Sequence, residues 1–145
     1  MRRLCLVLSA VTMLPAFALA AEPIGQIKTG SGSVTLTHEG RPVAAGPGDR
    51  VYREDVLTTG PDGAVGITFD DNSMMSLGPN SELALDQFSF DRTTHQGSFD
   101  SSLRKGTLAV KSGQIVQETP EAMHIRTPAM ILGVRGTEFV VRAEQ

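Results

Sequence analysis

The sequence predicts an all-β fold, a β-solenoid or β-roll-like stack of short strands, with a β-sandwich as the alternative. Three observations carry that expectation. From Ser33 onward apolar and polar residues alternate, Gly-Pro turns recur between the alternating runs, and no window beyond the first twenty residues carries a helical stripe.

The first element is a leader. Arg2 and Arg3 precede an apolar run from Leu4 to Phe17, and Ala18-Leu19-Ala20 closes it with small residues, the pattern of a secretory signal cleaved after Ala20. A membrane anchor needs roughly 20 apolar residues, whereas Pro15 interrupts this run and no basic cluster follows it. Cys5, the only cysteine, stands ahead of the run, which argues against a lipid anchor.

Cleavage removes Arg2 and Arg3, so 13 basic residues fall to 11 against 16 acidic ones and the net charge becomes −5 rather than −3. Clustered positive charge is therefore lacking, which disfavours nucleic acid as a partner. With Cys5 gone no disulfide can staple the chain, and about 125 residues suffice for one domain held by its own core. The expected organisation is a signal at 1–20, an entry segment at 21–32 and a β domain at 33–145, with no transmembrane segment in the mature chain and a periplasmic or secreted location.

The entry segment, rich in Gly, Ser and Thr, reads as loosely ordered with one short strand at most. Next come the alternating runs: Val34 and Leu36; Val65, Ile67 and Phe69; Met75 and Leu77; Leu83 and Leu85; Phe88 and Phe90. A period of two buries one face of a strand. The separators are Gly46-Pro47-Gly48-Asp49, Gly60-Pro61-Asp62-Gly63, Asp70-Asp71-Asn72-Ser73 and Gly78-Pro79-Asn80-Ser81. Proline pre-sets the first corner of a turn, while Gly and Asn accept positive φ. Gly-Pro units starting at 46, 60 and 78 leave room between them for strand, turn and strand, a weak repeat of the solenoid kind.

Residues 87–106 are polar around three phenylalanines and are expected to form a strand leading to a mobile loop before Leu108 and Val110 resume the sheet. The last stretch, TPAMILGVRGTEFVVRAEQ, reads as the most apolar strand of the chain. Its inward parity changes from Met130, Leu132 and Val134 to Phe139 and Val141, which predicts a β-bulge at Gly136.

Four pieces in order resemble a known family. Gly48-Asp49 with Val51, then Asp55, Leu57, Thr59 and Gly60, form the first; Ala64 to Phe69 followed by Asp71-Asn72-Ser73 form the second. Pro79-Asn80-Ser81 with Leu83 form the third, and Thr127-Pro128-Ala129 with Val134-Arg135-Gly136-Thr137-Glu138-Phe139 the last. Together they resemble the FecR-like domain, an exported β-rich module named after a bacterial iron-uptake signalling protein, over about Ser33 to Val141. Asn72 stands where that family usually has Gly, a mild change because Asn tolerates positive φ. Well-known members join a cytoplasmic anti-sigma segment and one membrane span to a periplasmic part that hears an outer-membrane receptor. Neither of the first two is recognisable here, so the resemblance implies only the exported sensing or scaffold half.

There is no G-x-S-x-G elbow, H-E-x-x-H or P-loop, and His38, His95 and His124 are widely spread, each reading as an exposed strand or loop histidine rather than a metal ligand. Asp70 and Asp71 suggest a carboxylate pair or a calcium turn, but the full calcium-loop pattern is missing and a solvated turn is the plainer reading. Asp49, Asp55 and Thr59 suit bonds to turn backbone. Arg135 is read as an internal salt bridge to Asp49 or Asp55, with partner docking as the sharper alternative. The expectation is a non-enzymatic interaction or sensing module without catalytic residues, cofactor or metal, whose partner is an envelope protein or cell-wall glycan. Self-association through edge strands is the alternative, and a hydrolase built on Asp70 and Asp71 is a remote third.

Overall fold

The computed structural model describes residues 19–136 and 138–144, so residues 1–18 of the expected signal and Thr137 lie outside the described residues. The chain's regular structure is nearly all β: β1 Gly25–Ser31, β2 Val34–His38, β3 Arg41–Ala44, β4 Arg50–Val51, β5 Val56–Thr59, β6 Ala64–Phe69, β7 Met74–Leu77, β8 Glu82–Phe90, β9 Gly97–Lys111, β10 Met123–Arg126, β11 Ile131–Gly133 and β12 Glu138–Ala143. One short helix, α1 Gln114–Glu118, interrupts them.

The strands join in a single sheet of order β3-β2-β5-β8-β9-β7-β6-β1-β4, with β10, β11 and β12 attached beside β9. The sheet curls into a half-barrel. Among the described pairings all are antiparallel except β9 with β10.

All three Gly-Pro units fall between strands, joining β3 to β4, β5 to β6 and β7 to β8. The second and third also touch, since the Asn80 N–H donates to the Gly60 carbonyl at 3.0 Å. The alternating residues face the core as the period of two requires, and Ile67, Leu57, Leu83, Met75 and Leu77 are all buried.

Three predicted features are corrected. The entry segment supplies β1, whose residues pair with the whole of β6 and also with β4, so it is part of the sheet. Residues 87–106 are not a strand and a loop but a hairpin: β8 turns at residues 91–96 into the fifteen-residue β9. The aromatic residues explain why. Phe88 and Phe99 are cross-strand partners with ring centroids 5.1 Å apart, and Phe99 meets Phe69 of β6 at 4.7 Å. Edge-to-face packing of this kind fixes the hairpin against the opposite half of the sheet.

Among the described pairings no bulge appears at Gly136. Instead β11 pairs with β10, and β12 pairs with β9, so the chain changes neighbours between Val134 and Glu138. Met130, expected inside, is 54% exposed, whereas Val134 and Val141 are buried. Helix α1 was not foreseen, because five residues are too few to display a helical stripe. It is tied down by the Gln114 N–H, which donates to the Asp71 carbonyl at 2.8 Å, and it buries Ile115 and Val116.

Strand β9 is the spine. Its first half pairs with β8 and β10, its second half with β7 and β12. Gly106 divides the halves at φ 91°, and a β-carbon there would run into Ser81. A left-handed residue with no side chain is what that crossing needs.

Candidate functional site

The motif side chains, followed one by one, hold turns. Asp49 accepts the Gly46 N–H at 2.9 Å and closes the first Gly-Pro turn, in which Gly48 takes φ 96°. Thr59 donates its hydroxyl to the Gly78 carbonyl at 2.6 Å and accepts the Ser81 N–H at 2.9 Å, while the Gly60 N–H donates to the Ser33 carbonyl. One threonine therefore binds the second turn to the third. Asp71 accepts both the backbone N–H and the hydroxyl of Ser73, at 3.0 and 2.5 Å, in the turn between β6 and β7. Asn72 sits at φ 64°, the conformation that makes it an adequate replacement for Gly.

Asp70 faces away from Asp71 toward solvent and pairs with Arg92 at 3.2 Å. Its neighbour Asp71 is buried and already hydrogen-bonded to Ser73. The two carboxylates thus serve separate contacts, and among the described residues no three His, Cys, Asp or Glu side chains are grouped as a metal would require.

Asp55, like Asp71, is a buried motif carboxylate. It accepts the Tyr52 N–H at 2.8 Å and shares a 2.5 Å hydrogen bond with His38 Nδ1. His38 also packs against the Tyr52 ring at 4.8 Å. The sequence reading of His38 as an exposed histidine missed this partner, since the end of β2 and the residue just ahead of the neighbouring β5 are seventeen positions apart in the chain. Hydrogen bonding to Asp55 raises the His38 pKa, burial opposes the rise, and the charges of Asp55 and Glu39 add to it. His124 is paired as well, with Asp100 at 3.0 Å across β10 and β9.

Arg135 is found elsewhere than expected. It lies in the connection before β12, 72% exposed, and its partner is Glu121, neither Asp49 nor Asp55. Exposed pairs of this kind stabilise a fold by little. Gly136 accepts the Ser112 hydroxyl at 2.6 Å, and Thr127 and Met130 exchange hydrogen bonds across the Pro128 turn that joins β10 to β11. Phe139 is half-buried opposite Val110.

Among the described residues the sheet has four outer edges, and they differ. Strand β3 carries Pro42, which has no N–H to offer, and β4 is two residues long. Both are blunted in the way natural sheets suppress edge pairing. The other two, β11 and β12, flank the closing motif and expose Met130, Ile131 and Val140 at 54, 67 and 68%. Below β12 a shallow hollow on the sheet is lined by Met74, Ala109 and Val140 and bordered by the Lys111–Glu138 pair.

These features define a β-rich scaffold whose motif side chains secure its turns and whose open edges gather at the C-terminal end. The chain belongs to the FecR protein family, whose family model matches residues 55–145. The domain occurs in signalling-related proteins. The Gly48-Asp49 piece lies ahead of the matched stretch. No curated protein and no solved structure matches the chain.

Proposed function

We propose that this chain is an exported, non-enzymatic interaction and sensing module of FecR type, which binds an envelope protein or cell-wall component in cell-surface signalling. The observation that carries the reading is apolar exposure at one edge: β3 carries Pro42 and β4 is two residues long, whereas the three-residue β11 has no outer partner among the described residues and lies beside the exposed Met130 and Ile131. An extended segment of a partner would add to β11 as a further strand, its backbone supplying affinity and Ile131 supplying a side-chain contact. The Arg2-Arg3 leader with its Ala18-Leu19-Ala20 cleavage site supports export. The antiparallel pairing favours a curled sheet of sandwich type over stacked parallel coils, while the contact between the Gly60 and Gly78 turns preserves a trace of repetition.

The test is photo-crosslinking in the envelope of the native cell, with a probe beside Ile131 in the tagged full chain. A discrete crosslinked component, lost in Ile131→Lys but kept in Lys28→Glu on the remote strand β1, supports the reading. A crosslink pattern unchanged by Ile131→Lys, or recovery of the chain in the cytoplasm with its leader attached, overturns it.

A further inference from the structure

Strand β12 has β9 on one side and no strand on the other among the described residues. Its outward side chains are Glu138, Val140 and Arg142, all exposed, and its inward ones Phe139, Val141 and Ala143. The five residues Glu138 to Arg142 match a reversed copy of themselves. With two β12 strands antiparallel and a two-fold axis at Val140, Val140 meets Val140, each Glu138 meets the other copy's Arg142, and each Phe139 meets a Val141. From Glu138 to Arg142 opposite charges and apolar groups coincide, which is the arrangement that stabilises cross-strand pairs; Glu138 is also 3.8 Å from Lys111 of its own chain, both of them exposed.

Other registers lose this match. Moving the axis to Val141 places Glu138 opposite Glu144 and Val140 opposite Arg142, and moving it to Phe139 leaves both charges without partners on the facing strand. A half-residue shift would set outward side chains against inward ones, which burial of Val141 and Ala143 forbids. The surface leading to the edge is compatible as well. Val140 is opposite Ala109, Ala109 opposite Ser76 and Ser76 opposite Gly66, so a row of small, uncharged residues runs across the sheet to the axis.

We propose that β12 is a homotypic edge, on which a second copy of this chain docks by two-fold antiparallel pairing centred on Val140, making one continuous sheet across the dimer. This goes beyond the partner-binding role of β11, because the two edges are separate and either can fail alone. The two-fold interface is isologous and closes at two copies.

Sedimentation velocity on purified Ala21–Gln145, from micromolar to millimolar, reads the association directly. The expected result is a monomer–dimer equilibrium, weakened about tenfold by Glu138→Arg or by Arg142→Glu, each of which opposes like charges twice across the axis. The double variant Glu138→Arg/Arg142→Glu restores wild-type association, and mixing the two single variants yields a heterodimer. Circular dichroism of each variant verifies its fold. In a second measurement Val140→Cys forms a disulfide-linked dimer on mild oxidation. A chain that stays monomeric throughout the range, or a dimer indifferent to the charge variants, overturns the proposal.

Discussion

At the residue scale the fold is held by a few polar side chains that would be costly to bury without partners. Thr59, Asp71 and Ser73 are all buried and hydrogen-bonded: Asp71 and Ser73 bond within one turn, whereas Thr59 reaches from its own turn to Gly78 and Ser81 in the next. The local bonds were legible in the sequence, because Asp and Ser in a turn bond groups close by in the chain. What was illegible was pairing between strands. Nothing in the chain spacing of His38 and Asp55 announces a 2.5 Å contact; it follows from β2 lying beside β5. Glu39 is the other acidic group that faces this histidine, 4.0 Å from Nε2. The raised His38 pKa has a consequence for stability. A group that binds its proton more tightly when folded stabilises the fold below its unfolded pKa, and that contribution is lost as pH rises through the folded value. His38→Gln should therefore lower the urea midpoint at pH 5.5 and lower it less at pH 9. A deficit equal at both pH values would show that the imidazolium–Asp55 bond is not what His38 contributes.

At the element scale the same sequence signal had two outcomes. A change of inward parity at Val134 to Phe139 marks a change of pairing partner, from β10 to β9. A similar change, from Leu83 and Leu85 to Phe88 and Phe90, marks a genuine register shift within β8, between Ala84 and Gln87. Parity shows where a strand slips but not whether the chain stays on the same neighbour, and that depends on the rest of the sheet. The length of β9 was hidden for a related reason: its middle, Arg104-Lys105-Gly106, is polar because it crosses between two halves of the curl. That crossing makes Gly106 the most position-sensitive residue of the strand. Gly106→Val should cost more than about 2 kcal/mol, combining the left-handed penalty of an L residue with the encounter with Ser81. Thermal or urea unfolding reads the loss, and a variant within about 0.5 kcal/mol of wild type would mean that the crossing is not constrained there.

At the scale of the whole molecule, the all-β class was readable from alternation and turns, but the closure of the sheet was not. It depends on β1 joining β6 and on Phe69 meeting Phe88 and Phe99, contacts between residues far apart in the chain. The resulting scaffold is densely buried at its centre and, among the described residues, has unpaired edges toward its C-terminal end, and this contrast underlies both proposed binding roles. Residue-resolved amide hydrogen exchange on Ala21–Gln145, at a concentration low enough to keep it monomeric, measures that contrast most directly. The account expects the slowest exchange in β9 and its neighbours β7 and β8. Along β12 protection should alternate, with amides facing β9 protected and outward amides exchanging freely, as an unpaired antiparallel edge requires. Uniform protection along β11 and β12 in the monomer would mean that those edges are already covered, and would contradict the assignment of the C-terminal edges as binding surfaces.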